Sequence, residues 1–188
     1  MRKIFSFLVA SVDGYYVGAE DAFDWPVVDD DFNTFAVEQL NSIDTMVFGR
    51  RTYEVMAGFW PTAFARENDP VIAALMNDTT KIVVSRTLED ADWENTTVAN
   101  STDELARLKA TPGGDVIVMG SSDLNVSLMR LGLLDEVRVM VCPVVLGDGL
   151  SLFRTATDRV PLTLTDSRTF ASGNILNRYA PQLPANGN

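Results

Sequence analysis

The apolar positions of this chain change period along its length. Lys3 to Val12 is a nearly continuous run of apolar, β-branched and aromatic residues closed by Asp13-Gly14, the pattern of a strand buried on both faces that ends in a turn. In DDDFNTFAVEQLNS, Phe32, Phe35, Ala36 and Leu40 recur on one helical face. That spacing predicts a helix whose N-terminus is capped within Asp29 to Asp31, where acidic side chains also suit the helix dipole. Thr45 to Phe48 predicts a short strand, Arg51 to Ala57 a helix, and Pro70 to Asn77 a helix that opens on proline. KIVVS and DVIVMG are short apolar runs between turn residues and read as central strands, with a capped helix from Ser101 to Lys109 between them. Ser121, Ser122 and Asp123 cap a helix that runs to Leu131 and stops at Gly132. DEVRVMVCPVV then reads as a strand, and PLTLTDSRTFASGNILNRYAP as an antiparallel hairpin turning at SGN.

Strands that alternate with helices and close on an antiparallel pair predict an α/β fold, a three-layer sandwich with helices on both faces of a mixed sheet. A chain of 188 residues suits one domain. Residues 1–180 read as that domain, and 181–188, with two prolines, a glycine and no apolar period, as a flexible tail.

Charge and composition narrow the function classes. A formal net charge of -11 with no lysine-arginine run disfavours nucleic acid and anionic membranes as partners. The single cysteine, Cys142, supports neither a disulfide framework nor a thiolate metal site, and a cytoplasmic location fits. The basic pair Arg2-Lys3 before an apolar run imitates a signal peptide, but the run is short and Asp13-Gly14 follows at once, so a buried strand is the simpler account. Histidine is absent. Imidazole acid-base chemistry, histidine metal ligation and the serine and cysteine triads go with it, so no metal site is expected and carboxylates or a cofactor must carry any reaction. The apolar strand Val137 to Val145 fits a homodimer face and a buried central strand equally well.

Three strand ends share a polar character. Phe48 leads to Gly49-Arg50-Arg51-Thr52, Val84 to Ser85-Arg86, and Met119 to Gly120-Ser121-Ser122. In an open α/β sheet, ligands sit beyond the carboxyl ends of the strands, near helix N-termini with free amides. Glycine allows close backbone approach, serine and threonine donate hydrogen bonds, and arginine grips phosphate with a planar fork. Each end taken alone is also ordinary turn and capping chemistry; the agreement of three points to a phosphate-rich ligand. Neither GxGxxG nor GxxxxGK[ST] occurs.

FLVASVDGYYVG, VFGRRTYE, IVVSR, VIVMGSSDLNVSLMRLGLLDEVRV and PVVLGDGLSLF, in this order, resemble the dihydrofolate reductase superfamily. They are most similar to the branch holding the C-terminal reductase domain of the bifunctional riboflavin-biosynthesis deaminase-reductase and its single-domain relatives. The resemblance spans nearly all of residues 1–180 and implies a dihydrofolate-reductase-like fold and NADPH as cofactor. It also implies that Gly49, Arg50, Arg51 and Thr52 hold cofactor phosphates, that Ser85 and Arg86 lie beside the adenosine 2'-phosphate, and that Gly120, Ser121 and Ser122 meet the pyrophosphate. The family carries a Gly-Gly pair where this chain has Gly120-Ser121, which puts the close approach at the second position in question. Neither HxE nor PCxxC occurs, so the likeness reaches the reductase half alone and not the zinc deaminase.

On the substrate side, the resemblance places the turn Ser11 to Gly14 near the nicotinamide and a carboxylate shortly after a tryptophan beside the substrate. Trp25 is followed by Asp29, Asp30 and Asp31. Asp30 keeps the spacing from Trp25 and Asp31 the spacing to Phe35, so the register stays open; Asp13 and Asp31 are the catalytic candidates. The expected activity is NADPH-dependent hydride transfer to a small pterin- or pyrimidine-like heterocycle, imine or carbonyl. The alternative is a nucleotide-binding or sensing protein on the same fold, without turnover.

Overall fold

A computed structural model describes residues 2–182 of the chain. Its elements in order are β1 (Ile4–Ser11), β2 (Tyr15–Gly18), a short 3-10 turn (Ala19–Asp21), α1 (Asp30–Asn41), β3 (Ile43–Gly49), α2 (Arg50–Phe59), α3 (Ala63–Asn68), α4 (Pro70–Asp78), β4 (Thr80–Val84), β5 (Thr96–Ala99), α5 (Asp103–Ala110), β6 (Asp115–Met119), α6 (Ser122–Arg130), β7 (Glu136–Cys142), β8 (Gly149–Ser151), β9 (Leu162–Thr169) and β10 (Ile175–Pro181). The strand expected from Lys3, the helices expected near residues 51, 70 and 101, and the terminal hairpin are all present, with ends shifted by at most two residues. β2, β5, β8 and α3 are short and escape the periodicity, and β10 carries the domain through Pro181. The rest of the expected tail, 183–188, lies outside the described residues.

The main sheet has eight strands in the order β5-β4-β3-β6-β1-β7-β10-β9. The six from β5 to β7 are parallel, while β10 pairs antiparallel with both β7 and β9. Alternation along β1 explains the three layers. Ile4, Leu8 and Ala10 face α5 and α6, where Leu105, Val126 and Leu128 complete one core. Phe5 and Phe7 face the other side, where Phe35, Tyr53 and Met76 of α1, α2 and α4 complete a second. Both faces of the strand are therefore apolar, as a covered parallel sheet requires. Truncating a fully buried core ring such as Phe48 to alanine costs about 3 to 5 kcal/mol.

Polar side chains pin the ends. Asp29 caps α1, its carboxylate accepting from the Phe32 amide at 2.8 Å. At the amino edge of the sheet, buried Arg2 pairs with Asp44 and donates to the Gly114 carbonyl at 2.7 Å. Inside the second core, Lys81 is fully buried; its ammonium donates to the Asn77 and Thr79 carbonyls at 2.8 and 2.6 Å and lies 4.6 Å from the centre of the Trp93 ring.

Candidate functional site at the meeting of two helix N-termini

The connections of β3 and β6 leave in opposite directions. From β3 the chain passes through α2 toward β4, and from β6 through α6 toward β7, while β3 and β6 are themselves neighbours. Such a switch point opens a crevice beyond the strand ends, and an open α/β sheet binds its ligands there. Here the N-termini of α2 and α6, on opposite faces of the sheet, converge. Gly49, Arg50, Arg51 and Thr52 are thus brought together with Gly120, Ser121 and Ser122.

The contacts in the corner are short. The Gly49 amide donates to Ser121 Oγ at 2.7 Å, and Ser121 Oγ lies 2.9 Å from Thr52 Oγ1. Gly49 and Gly120 are glycines for packing reasons. A Cβ on Gly49 would stand 2.7 Å from Ser121 Oγ, and one on Gly120, where φ is +58°, would stand 3.0 Å from the Thr52 methyl. The sequence pattern predicts a side-chain cap for α6 at Ser121, and the structure differs. Ser121 occupies the N-cap position in a left-handed conformation (φ 53°, ψ 67°) but makes no such cap, because its hydroxyl has turned across the crevice to α2. Buried Ser122 accepts from the Phe153 amide at 2.8 Å and so holds the segment after β8 against the first turn of α6.

The two arginines diverge from their adjacent positions at the start of α2. Arg50 donates to Glu54 at 2.7 Å and to the Thr87 hydroxyl at 2.9 Å, beyond the end of β4. Arg51 reaches the opposite way, to both carboxylate oxygens of Asp21 at 3.0 and 3.1 Å. No acidic residue occupies the first turn of α2. Two cations at the positive end of a helix dipole are unfavourable for the fold alone and favourable toward an anionic ligand.

Ser85 and Arg86 lie apart from this corner, on a cleft of about 350 Å³ formed with Asn100, Ser101, Leu124 and Ser127. Ser85 is buried and its hydroxyl accepts from the amides of Thr87 and Leu88 at 3.2 and 3.0 Å, which shapes the turn. Arg86 is exposed, and its guanidinium has no hydrogen-bond partner among the described residues.

The carboxylates separate by role. Asp13 accepts from the Ser11 hydroxyl at 2.7 Å and from the amides of Leu146 and Gly147 at 3.1 and 2.8 Å. The Ser11 hydroxyl and then the Gly147 amide hold its carboxyl well below the usual range, at about 2. A group so placed is ionised at neutral pH and ties the end of β1 to the loop after β7, so as a proton donor the Asp13 expectation meets a physical obstacle. Asp30 lines a shallow groove between α1 and α4 on the outer face. Asp31 instead pairs with Arg168 of β9 at 2.6 Å, and the Arg168 guanidinium lies 4.4 Å from the centre of the Phe170 ring. Since Ile175 is opposite both Thr169 and Val141, this pair sits at the carboxyl edge of the parallel strands. The preceding loop is held there too, with the Val27 carbonyl accepting from buried Asn174 at 2.8 Å.

Two further residues join the site that the sequence did not single out. Arg154 donates to Asp123, in the first turn of α6, at 3.2 Å, and its charge acts on the half-buried Tyr16 of β2. Burial, then the Asp123 carboxylate, push the Tyr16 phenol up. The available signal for Arg154 is its place directly after the PVVLGDGLSLF segment, where the recognisable pattern stops.

The profile of the RibD C-terminal domain matches residues 2–176. The chain belongs to this family. The RibD C-terminal domain described here is 32% identical over 175 residues to the uncharacterized protein YyaP of Bacillus subtilis strain 168, covering 93% of this chain and 92% of that protein. Its fold is similar to the diaminohydroxyphosphoribosylaminopyrimidine deaminase/5-amino-6-(5-phosphoribosylamino)uracil reductase of Thermotoga maritima, with a TM-score of 0.69 at 16% identity over 96% of this chain and 57% of that one. It is also similar to the dihydrofolate reductase of Enterococcus faecalis complexed with NADP(H), with a TM-score of 0.65 at 17% identity over 95% and 96% of the two chains. The expected dihydrofolate-reductase-like sandwich is thus found. Among the described residues, no helix is long and apolar enough to cross a membrane.

Proposed function

We propose that this RibD C-terminal domain is an NADPH-dependent reductase of a small pterin- or pyrimidine-like heterocycle. The observation that carries the reading is the convergence at the switch point of the N-terminus of α2, whose first two residues are Arg50 and Arg51, with the N-terminus of α6. That arrangement suits a diphosphate. Membership of a family named for a riboflavin-biosynthesis enzyme, and the likeness in fold to two reductases, support the chemistry.

NADPH, when bound, supplies the hydride. The chain supplies binding, orientation and a proton. The first-turn amides of α2 and α6, with Arg50, Arg51 and Thr52, would hold the diphosphate, and Arg86 at its cleft would meet the 2'-phosphate. Hydride arrival at a ring carbon-nitrogen double bond leaves charge on nitrogen that a proton must meet. Asp31, paired with Arg168 at the carboxyl edge, is the carboxylate placed to orient the substrate and to pass on a proton taken from water; Asp13, triply hydrogen bonded, anchors the loop instead.

Binding of NADPH and NADH followed by nicotinamide fluorescence tests the cofactor assignment. NADPH should bind more tightly, and Arg86→Ala should remove that preference at a loss of about 1 to 3 kcal/mol. Turnover on a panel of pterins and aminopyrimidines then tests the chemistry. Asp31→Asn should lower kcat with cofactor affinity intact. Equal affinity for the two cofactors in the wild-type protein would refute the assignment.

A further inference from the structure

We propose that the tip of the C-terminal hairpin is a splint for the segment that carries Asp31, and that Asn174 is a positioning residue in it, acting through the Val27 carbonyl. The inference rests on the reductase reading above, in which Asp31 orients the substrate, and adds the element that fixes where that carboxylate stands.

Three contacts join the tip to that segment. The Arg168 guanidinium donates to Asp31 at 2.6 Å, the Phe170 ring meets the Phe35 ring edge to face with centres 5.7 Å apart, and the Asn174 side-chain amide donates to the Val27 carbonyl at 2.8 Å. Val27, Asp31 and Phe35 follow one another at a constant spacing, from the end of the loop into the first turns of α1. The tip itself is closed by its backbone, with the Phe170 amide donating to the Asn174 carbonyl at 2.9 Å and the Gly173 amide to the Phe170 carbonyl at 3.0 Å. Gly173, at φ +87°, permits so tight a turn. Arg168 and Phe170 hold the helix, and Asn174 holds the loop before it.

Asn174 is fully buried, yet half of its side-chain amide is unused. A carbonyl can only accept, so the nitrogen faces Val27, and the Oδ1 atom is left with no partner among the described residues. A buried acceptor without a partner costs stability, and an apolar residue would avoid that cost. What asparagine supplies here is the bond to Val27. Val27 is 37% exposed, so water takes over its carbonyl when the loop lifts, and the bond serves position more than folding. Beneath the loop lies Cys142, 1% exposed; burial pushes its thiol up and the Val27 amide opposes that shift, which sets the loop backbone against the sulfur. As the single cysteine of the chain, it reports when the loop leaves.

The experiment follows the reaction of Cys142 with 4,4'-dithiodipyridine at about pH 5 and about pH 8 in wild type, Asn174→Ala and Asn174→Asp. Melting temperature, NADPH affinity and turnover on the pterin and aminopyrimidine panel accompany it. Asn174→Ala should raise the thiol rate over wild type by about 3- to 10-fold at both pH values, as loss of one hydrogen bond does, while the melting temperature moves by no more than about 4 °C. Asn174→Asp should match that rate at the higher pH and return to the wild-type rate at the lower, because burial raises the pKa of the new carboxyl and only its protonated form donates to Val27. Should Asn174→Ala be unstable, this pH response carries the test, since aspartate keeps the shape of the side chain. Three strands stand between β10 and β3 in the sheet, so NADPH affinity should hold while turnover falls. A thiol rate unchanged in both variants, or one that rises only together with a large drop in melting temperature and NADPH affinity, would overturn the splint. A wild-type chain that neither binds NADPH nor turns over any compound of the panel would sink the reductase reading, and the thiol rates would still decide the splint.

Discussion

Gly49 and Ser121, 72 residues apart in sequence, meet with the amide nitrogen of one 2.7 Å from the hydroxyl oxygen of the other, and this contact joins helices on opposite faces of the sheet. A Cβ on Gly49 would stand 2.7 Å from the same oxygen. Gly49 has φ -80°, so the requirement for glycine is steric and not conformational. Gly49→Ala should therefore destabilise the fold by about 1 to 3 kcal/mol, as overpacking does. Ser121→Gly in the same chain should restore most of that loss, because it removes the atom in the way. Urea denaturation of the two single variants and the double variant measures it; equal and additive losses would locate the strain elsewhere.

Asp13 gives the fold an acid limit. Its folded carboxyl titrates at about 2, against an ordinary value of 3.8, because the Ser11 hydroxyl and the Gly147 amide favour the charged form. The unfolded chain takes up this proton first as pH falls. The contribution of Asp13 is therefore complete above about pH 4 and is lost as pH falls through the folded value. Asp13→Asn should lower the melting temperature at neutral pH and flatten its dependence between about pH 4 and 2. Thermal melts across that window decide it, and a variant that keeps the wild-type acid slope would clear Asp13 of the role.

Lys81 sets the opposite limb. Burial lowers its pKa from 10.5 to about 8. Between these values the unfolded chain holds a proton that the folded chain has released, so stability rises with pH through this window. A displacement of this size corresponds to roughly 3 kcal/mol at most. Lys81→Met should abolish the rise, and denaturation at pH 7.5 and 9.5 compared in wild type and variant would register it. A wild-type protein whose stability is flat over this interval would mean that Lys81 is not titrating there.

Much of the architecture was legible because short-range rules wrote it. Phe5 and Phe7 alternate with Ile4 and Leu8, so both faces of β1 announced burial between two helical layers. Asp29, Pro70 and Gly132 marked helix ends by the backbone groups that they satisfy or cannot make. β2, β5 and β8 are 4, 4 and 3 residues long, too short for a period to register, and they exist because neighbouring strands offer them hydrogen bonds.

At the site, the sequence alone determined which residue types stand at the three strand ends: arginines behind Gly49, a serine and an arginine after Val84, a glycine and two serines after Met119. It could not determine where their side chains go. Three neighbouring aspartates before Phe32 look alike in sequence, yet one caps α1, one faces an outer groove and one pairs with Arg168, 137 residues away. Arg50 and Arg51 are adjacent, yet they reach Thr87 and Asp21 on opposite sides of the crevice. Ser121 has the residue type of a helix cap and the hydrogen bonds of a strut between two helices. Periodicity and capping depend on contacts within a few residues and can be read along the chain. The partner of a polar side chain is settled by which strands lie side by side, and the order β3-β6-β1 arises only when the whole sheet assembles.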